Sequence, residues 1–148
     1  MKLLGINLVF LTLLMFASCK APTSSAPTNI SDLNAEISSY TSGSKQISAG
    51  TLQNVAVGDQ LYVRLNSLGS DGGYWWYYTI SDPTIVQTVD ENTFLTNTDP
   101  GVAGAGVVYV VKFKILKSGN TTIEFNDYRS WEGIQDSIAN QSFNLVAQ

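Results

Sequence analysis

The sequence predicts an all-β domain, a two-layer antiparallel sandwich, and three observations carry that expectation. Short runs alternate apolar and polar residues with a period of two. Turn signals rich in Gly, Asn, Asp and Pro separate those runs, and no long stretch keeps a helical period. Six or seven strands spread over roughly 100 residues fit a sandwich, with a barrel as the alternative.

The first residues stand apart from this pattern. Lys2 supplies a positive start, Leu3 to Phe16 is apolar, and the small residues Ala17 and Ser18 precede Cys19. That order is a signal peptide over residues 1–18, and small residues followed at once by cysteine resemble the lipobox of a bacterial lipoprotein. The resemblance implies cleavage before Cys19 and lipid on its sulfur and new amino group, with Phe16 standing where leucine is usual. An ordinary secretory signal with an incidental cysteine is the plainer reading. No other apolar run reaches the roughly 20 residues a membrane helix needs. Lys20 to about Tyr40 is rich in Ser, Thr, Pro, Ala and Asn, so residues 19–45 are expected to be a lipidated cysteine and flexible tether. Within it, Ser31 to Ser39 is compatible with a short helix capped by Ser31.

From about Gln46 the pattern is β. Leu61, Val63 and Leu65 alternate with Tyr62 and Arg64 after the turn at Val57-Gly58-Asp59. Trp76, Tyr78 and Ile80 alternate with Trp75, Tyr77 and Thr79, which places the first three inward. Thr84 to Val89 is a short β-branched run. Over Val107 to Leu116, Tyr109, Val111, Phe113 and Ile115 share one face, with Lys112 and Lys114 on the other. Ser118-Gly119-Asn120 turns the chain into Thr121 to Phe125, with Ile123 and Phe125 inward. Phe143 and Leu145 face inward in a last strand, Ser142 to Val146.

Composition narrows the chemistry. The 148 residues contain no histidine, which excludes a Ser-His-Asp triad, a Cys-His pair and histidine metal ligation. Cys19 is the only cysteine, so lipidation would leave no thiol nucleophile and no disulfide. Twelve Asp and Glu are scattered singly, and the adjacent Asp90 and Glu91 point to opposite faces of a strand. No enzyme, cofactor or metal is expected. The net charge of −4 falls to −5 once Lys2 is removed, leaving seven basic against twelve acidic residues. Nucleic acid, which asks for a basic patch, is not an expected partner.

Three glycine-bearing segments lie at the strand ends: Gly72-Gly73-Tyr74-Trp75-Trp76, Gly104-Ala105-Gly106 and Tyr128-Arg129-Ser130-Trp131-Glu132-Gly133. Hairpin loops of a sandwich gather at its two ends, so three can form one edge. Each residue also has a purely structural reading. Trp76 packs in the core by its parity, Trp75 has the opposite parity, the glycines form turns, and Arg129 pairs with Glu132 or Asp127. Trp131 is the hardest to explain that way, because an exposed loop tryptophan asks for something to dock on.

In order and spacing these segments resemble the chagasin family of cysteine-protease inhibitors. The family pattern has an Asn-Pro-Thr-Thr-Gly-aromatic-X-Trp loop, a Gly-X-Gly-Gly loop and an Arg-Pro-Trp/Phe loop. Gly73-Tyr74-Trp75-Trp76 matches the end of the first. Gly104-Ala105-Gly106-Val107 matches the second except for its last glycine, and Arg129-Ser130-Trp131 matches the third except for proline. The stretch from Gly104 through Gly119 to Trp131 keeps the family spacing without a gap. Leu68-Gly69-Ser70-Asp71-Gly72 lacks the Asn-Pro-Thr-Thr tip and is one residue longer.

The resemblance implies an all-β, immunoglobulin-like antiparallel β-sandwich of about seven strands over residues 46–148. It implies a monomeric, reversible inhibitor of papain-like cysteine proteases that occludes the active-site cleft with three loops. Gly69, Ser70, Asp71, Gly72, Gly73 and Tyr74 would block the catalytic cysteine and histidine. Gly104, Ala105 and Gly106 would line one side, and Trp131, steadied by Arg129, the other. A lipid on Cys19 would hold the domain to a membrane of a bacterial envelope. A glycan-binding lipoprotein, suggested by Tyr74 to Tyr78, and a structural envelope module are the alternatives.

Overall fold

The computed structural model describes residues 30–67, 71–96 and 106–148. Among them, eight strands form two four-stranded sheets. One has the order β1(Lys45–Gln46)-β3(Gln60–Ser67)-β6(Val107–Ile115)-β5(Val86–Leu95). The other has the order β2(Leu52–Val55)-β8(Ala139–Ala147)-β7(Gly119–Arg129)-β4(Tyr74–Ile80). The central pairings are antiparallel, as expected. The two short edge strands depart from that expectation, since β1 runs parallel to β3 and β2 parallel to β8.

The alternation read from the sequence is the alternation that is buried. Leu61, Val63 and Leu65 of β3 meet Tyr109, Val111, Phe113 and Ile115 of β6 in the interior, opposite Ile123, Phe125, Phe143 and Leu145 of the second sheet. Tyr78 closes on Phe113 and Phe125, with ring centroids 5.8 and 5.0 Å away, and Phe143 lies 5.8 Å from Phe125. With no disulfide, this aromatic cluster is the centre of the domain's stability, and truncating one such ring costs about 3–5 kcal/mol.

Three elements differ from expectation. The stretch expected to be tether holds α1(Ile30–Tyr40), where a short helix was compatible with Ser31 to Ser39, but the helix is docked: its Leu33 and Ile37 are buried on the outer face of the first sheet. They pack on Phe94, Val108 and Val110, and Tyr40 sets its ring edge-on to Phe94 at 5.4 Å. Strand β6 is therefore covered on both faces, which is why it reads as a continuous apolar run. Arg64 donates to the Asn34 side chain at 3.2 Å, a polar tie beside the apolar contact.

The second difference is β5, which extends to Leu95 rather than ending near Val89. A register irregularity between Thr88 and Asp90 interrupts its alternation. Strand β7 likewise runs past Phe125 to Arg129. That longer strand places Asp127 in the interior, only 6% exposed.

The loop end of the sandwich

Backbone pairing gathers the three expected loops at one end. Ser67 and Leu95 both pair with Val107, so loop 1 (residues 68–73) and loop 2 (residues 96–106) leave the first sheet together. In the second sheet Tyr74 pairs with Arg129 and Asp127 with Ala139, so loop 3 (residues 130–138) departs beside the end of loop 1. Trp76 ties the sheets together here. It is 5% exposed, as its parity predicted, and its indole N–H donates across to the Asn66 carbonyl at 2.9 Å.

Loop 1 ends in a 3-10 turn, Asp71–Gly73, whose two glycines have φ of 69° and 78°. Side chains rarely adopt that left-handed region, so the tight entry into β4 depends on Gly72-Gly73. Gly73 is also a seat. A Cβ there would stand 2.1 Å from Cη2 of Trp131, so only a residue without one lets that ring lie against the loop 1 backbone. Trp131 itself remains 70% exposed. It docks on its own sandwich with one part of the ring and offers the rest to solvent.

Arg129 locks the same junction. Its Nε donates to the Gly72 carbonyl at 2.5 Å, its NH1 pairs with Glu132 at 2.8 Å, and its guanidinium lies 4.4 Å from the Tyr74 ring centroid. The Glu132 hydrogen bond holds the guanidinium still more firmly in its charged form. The pairing with Glu132 anticipated from sequence is present, and the bonds to loop 1 are additional. Loops 1 and 3 are thus joined by the Arg129 bond to Gly72, the Arg129–Tyr74 contact and the seat of Trp131 on Gly73.

Loop 3 is folded back on its own strand. The Arg129 carbonyl accepts from the backbone N–H groups of Glu132 and Gly133, and the Asp127 carbonyl accepts from Ile138 N–H and the Ser137 hydroxyl. The loop leaves Ile134 and Ile138 exposed at 54% and 55%. Sequence reasoning passed over both, although two isoleucines among Gln, Asp and Ser were the signal. Loop 3 therefore presents three exposed apolar side chains on a hydrogen-bonded frame.

Gly106 has a structural duty that its motif did not announce. Its carbonyl accepts from Thr96 N–H at 2.9 Å and from the Thr96 hydroxyl at 2.6 Å. A Cβ on it would come within 3.1 Å of that hydroxyl and 3.4 Å of the Ser67 carbonyl oxygen. It closes the base of loop 2 against β3. Gly69, Ser70, Gly104 and Ala105, like Cys19, lie outside the described residues, and for Asp71 the backbone alone is described.

The aromatic run Tyr74 to Tyr78 is divided among several surroundings. Trp76 and Tyr78 pack inward, Tyr77 stacks on Tyr128 with ring centroids 4.6 Å apart, and Trp75 lies half-buried with its centroid 5.4 Å from that of Tyr109. Asp127 sits beneath this end with no hydrogen bond to its Oδ1, and burial pushes its carboxyl above the ordinary range.

A sandwich that holds three neighbouring loops at one end, two of them clamped together around an exposed tryptophan, defines a loop-presenting binding protein. The family profile described as Chagasin family peptidase inhibitor I42 matches residues 54–146. The chain belongs to the chagasin family of peptidase inhibitors.

Two solved structures share the fold, and a third matches more loosely. The cysteine protease inhibitor EhICP2 from Entamoeba histolytica superposes with a TM-score of 0.59 at 18% identity, covering 68% of this chain and 88% of that one. The solution structure of Amebosin gives 0.54 at 18% identity, with 68% and 90% covered. PbICP-C, solved in complex with falcipain-2, gives 0.46 at 18% identity, with 71% and 91% covered. No curated protein sequence matches the chain significantly.

Proposed function

We propose that this chain is a reversible inhibitor of papain-like cysteine proteases and works by filling the active-site cleft with its loop end. The observation that carries the proposal is the joint held by Arg129 and Trp131. An exposed tryptophan, seated on Gly73 and flanked by a guanidinium bonded to the Gly72 carbonyl, is an anchor fixed before a partner arrives. A rigid aromatic on a fixed loop buries much area and loses little entropy on docking. Inhibition then needs no covalent step. The tip around Gly69 and Ser70 would face the catalytic cysteine and histidine. Trp131, with Ile134 and Ile138, would rest on one wall of the cleft, and Gly104, Ala105 and Gly106 on the other.

The chain is on this reading a binding protein and no enzyme. On the same reading the chain is exported to a bacterial envelope, which the signal-like residues 1–18 support, and Cys19 carries a lipid that attaches the domain to a membrane. Titration of the purified protein against a panel of papain-like proteases tests the inhibition. Tight, reversible loss of protease activity is expected, and failure at micromolar concentration against every enzyme would refute it. Labelling with radioactive palmitate tests the anchor. The wild type should take up label and Cys19→Ala should not; an unlabelled wild type would reduce Cys19 to an incidental cysteine.

A further inference from the structure

Beside the loop end, one flank of the sandwich is open. Strand β4 is the last strand of its sheet and β5 the last of the other, so both leave an unpaired edge. Trp75 stands in this opening. Its ring leans on buried Tyr109 and on the margin of the core, yet it stays half-exposed. Two adjoining clefts of about 280 and 310 Å3 share Trp75, Tyr109 and Glu91. One extends over Asn92 and Thr93, and the other reaches Tyr77.

The chemistry of this flank is an aromatic face beside a carboxylate. Glu91 is exposed and accepts a hydrogen bond from the Tyr109 hydroxyl. Among the described residues no lysine or arginine pairs with it. Lys112 of the neighbouring strand β6 pairs with the adjacent carboxylate, Asp90, 3.4 Å away. A carboxylate without a cationic partner, next to an indole face, is the arrangement that takes a guanidinium or ammonium, through cation–π contact and a charge-assisted bond together.

The flank is continuous with the loop end. Trp75 follows Tyr74, which Arg129 holds from the other side, and Thr93 leads through Leu95 and Thr96 into loop 2. The cleft thus runs along the two strands, β4 and β5, that lead out of loop 1 and into loop 2. We infer that the Trp75–Glu91 cleft is a lateral extension of the protease-binding surface, receiving a basic side chain from the rim of the protease's cleft. This rests on the reading of the chain as a protease inhibitor and adds to it a rule for target choice: proteases with a lysine or arginine at that rim are preferred over those with an acid. Charge at the edge of an interface acts chiefly on encounter and on partner discrimination.

Inhibition constants of wild type, Glu91→Gln, Glu91→Lys, Trp75→Ala and Trp131→Ala against papain-like proteases of differing rim charge decide the matter, with thermal midpoints measured in parallel. Glu91→Gln keeps an acceptor for Tyr109 and should leave the midpoint unchanged. It should weaken inhibition about tenfold for basic-rim enzymes and little for acidic-rim ones, and Glu91→Lys should invert the order of preference. Trp75→Ala should weaken the same subset. If Glu91 variants stay within about twofold on every enzyme while Trp131→Ala weakens all of them, the loops bind and the flank does not, so this inference fails alone. If the wild type inhibits none, the reading beneath it fails and takes the inference with it.

Discussion

Replacing Gly73 by alanine tests whether loops 1 and 3 act as one body. The new Cβ would lie 2.1 Å from Cη2 of Trp131 and 3.0 Å from Cζ2 and Cζ3. Packed carbons sit about 3.5–4.0 Å apart, so the ring must shift by more than about 1 Å. The backbone adds its own cost, because φ at Gly73 is 78° and an L-residue there loses about 1–2 kcal/mol. Only the collision depends on Trp131, and a double-mutant cycle separates the two contributions. Alone, Gly73→Ala should raise the inhibition constant against papain about tenfold, or about 1.4 kcal/mol. Trp131→Ala should itself cost about 2 kcal/mol or more, and on that background the alanine should add less than about threefold. Progress-curve kinetics with a tight-binding fit would measure all four proteins, with thermal unfolding as the control for strain. Equal effects of Gly73→Ala with and without Trp131 would refute a coupled edge.

Other consequences follow from the core and the helix. Trp76→Ala should lower stability by about 3–5 kcal/mol in denaturant titration, and Trp76→Phe by about 1–3, because the Asn66 carbonyl loses its indole partner. Leu33→Ala should cost about 2 kcal/mol or more, whereas an unchanged midpoint would mean that α1 adds nothing to the fold. Asp127 gives a pH dependence of definite sign. Its folded carboxyl binds a proton more tightly than the unfolded one, so stability is full below the unfolded value and declines as pH rises through the folded value. Asp127→Asn should remove that decline, stabilising the protein on the order of 1 kcal/mol or more at neutral pH and converging with wild type in acid. A flat wild-type profile would show the carboxylate to be solvated.

Three strands, the inner β3 and β6 and the edge strand β4, were legible in the sequence because an apolar set recurs every second residue in each. The phases of β3, β4 and β6 followed from period two alone. Strand β5 was only half legible, since an edge strand with a register irregularity exposes Asp90 to Thr93 and shows no period. The helix over Ser31 to Ser39 was compatible with the sequence, but its docking was missed for a different reason. Leu33 and Ile37 are one turn apart, but what buries them is Val108 and Val110, more than seventy residues later. Those two valines, on the strand face expected to be polar, were the sign that something covers it. At the loop end the motif residues were legible and their couplings were not. No spacing rule tells that Trp131 rests on Gly73 or that Arg129 reaches the Gly72 carbonyl.

Docking of α1 also sets a distance. Had the chain been free from Cys19 to Gln46, at about 3.3–3.6 Å per extended residue the domain could have stood some 90 Å from its attachment. With α1 docked from its first turn, the ten residues 20–29 remain ahead of Ile30, and they reach about 35 Å at most. With lipid on Cys19, the domain would patrol a thin layer against the bilayer. A single molecule within that radius has a local concentration on the order of 10 mM, in the range short linkers produce. An inhibitor held so close would guard the membrane surface and whatever is displayed on it, and would leave proteases in the surrounding fluid alone until they arrived there.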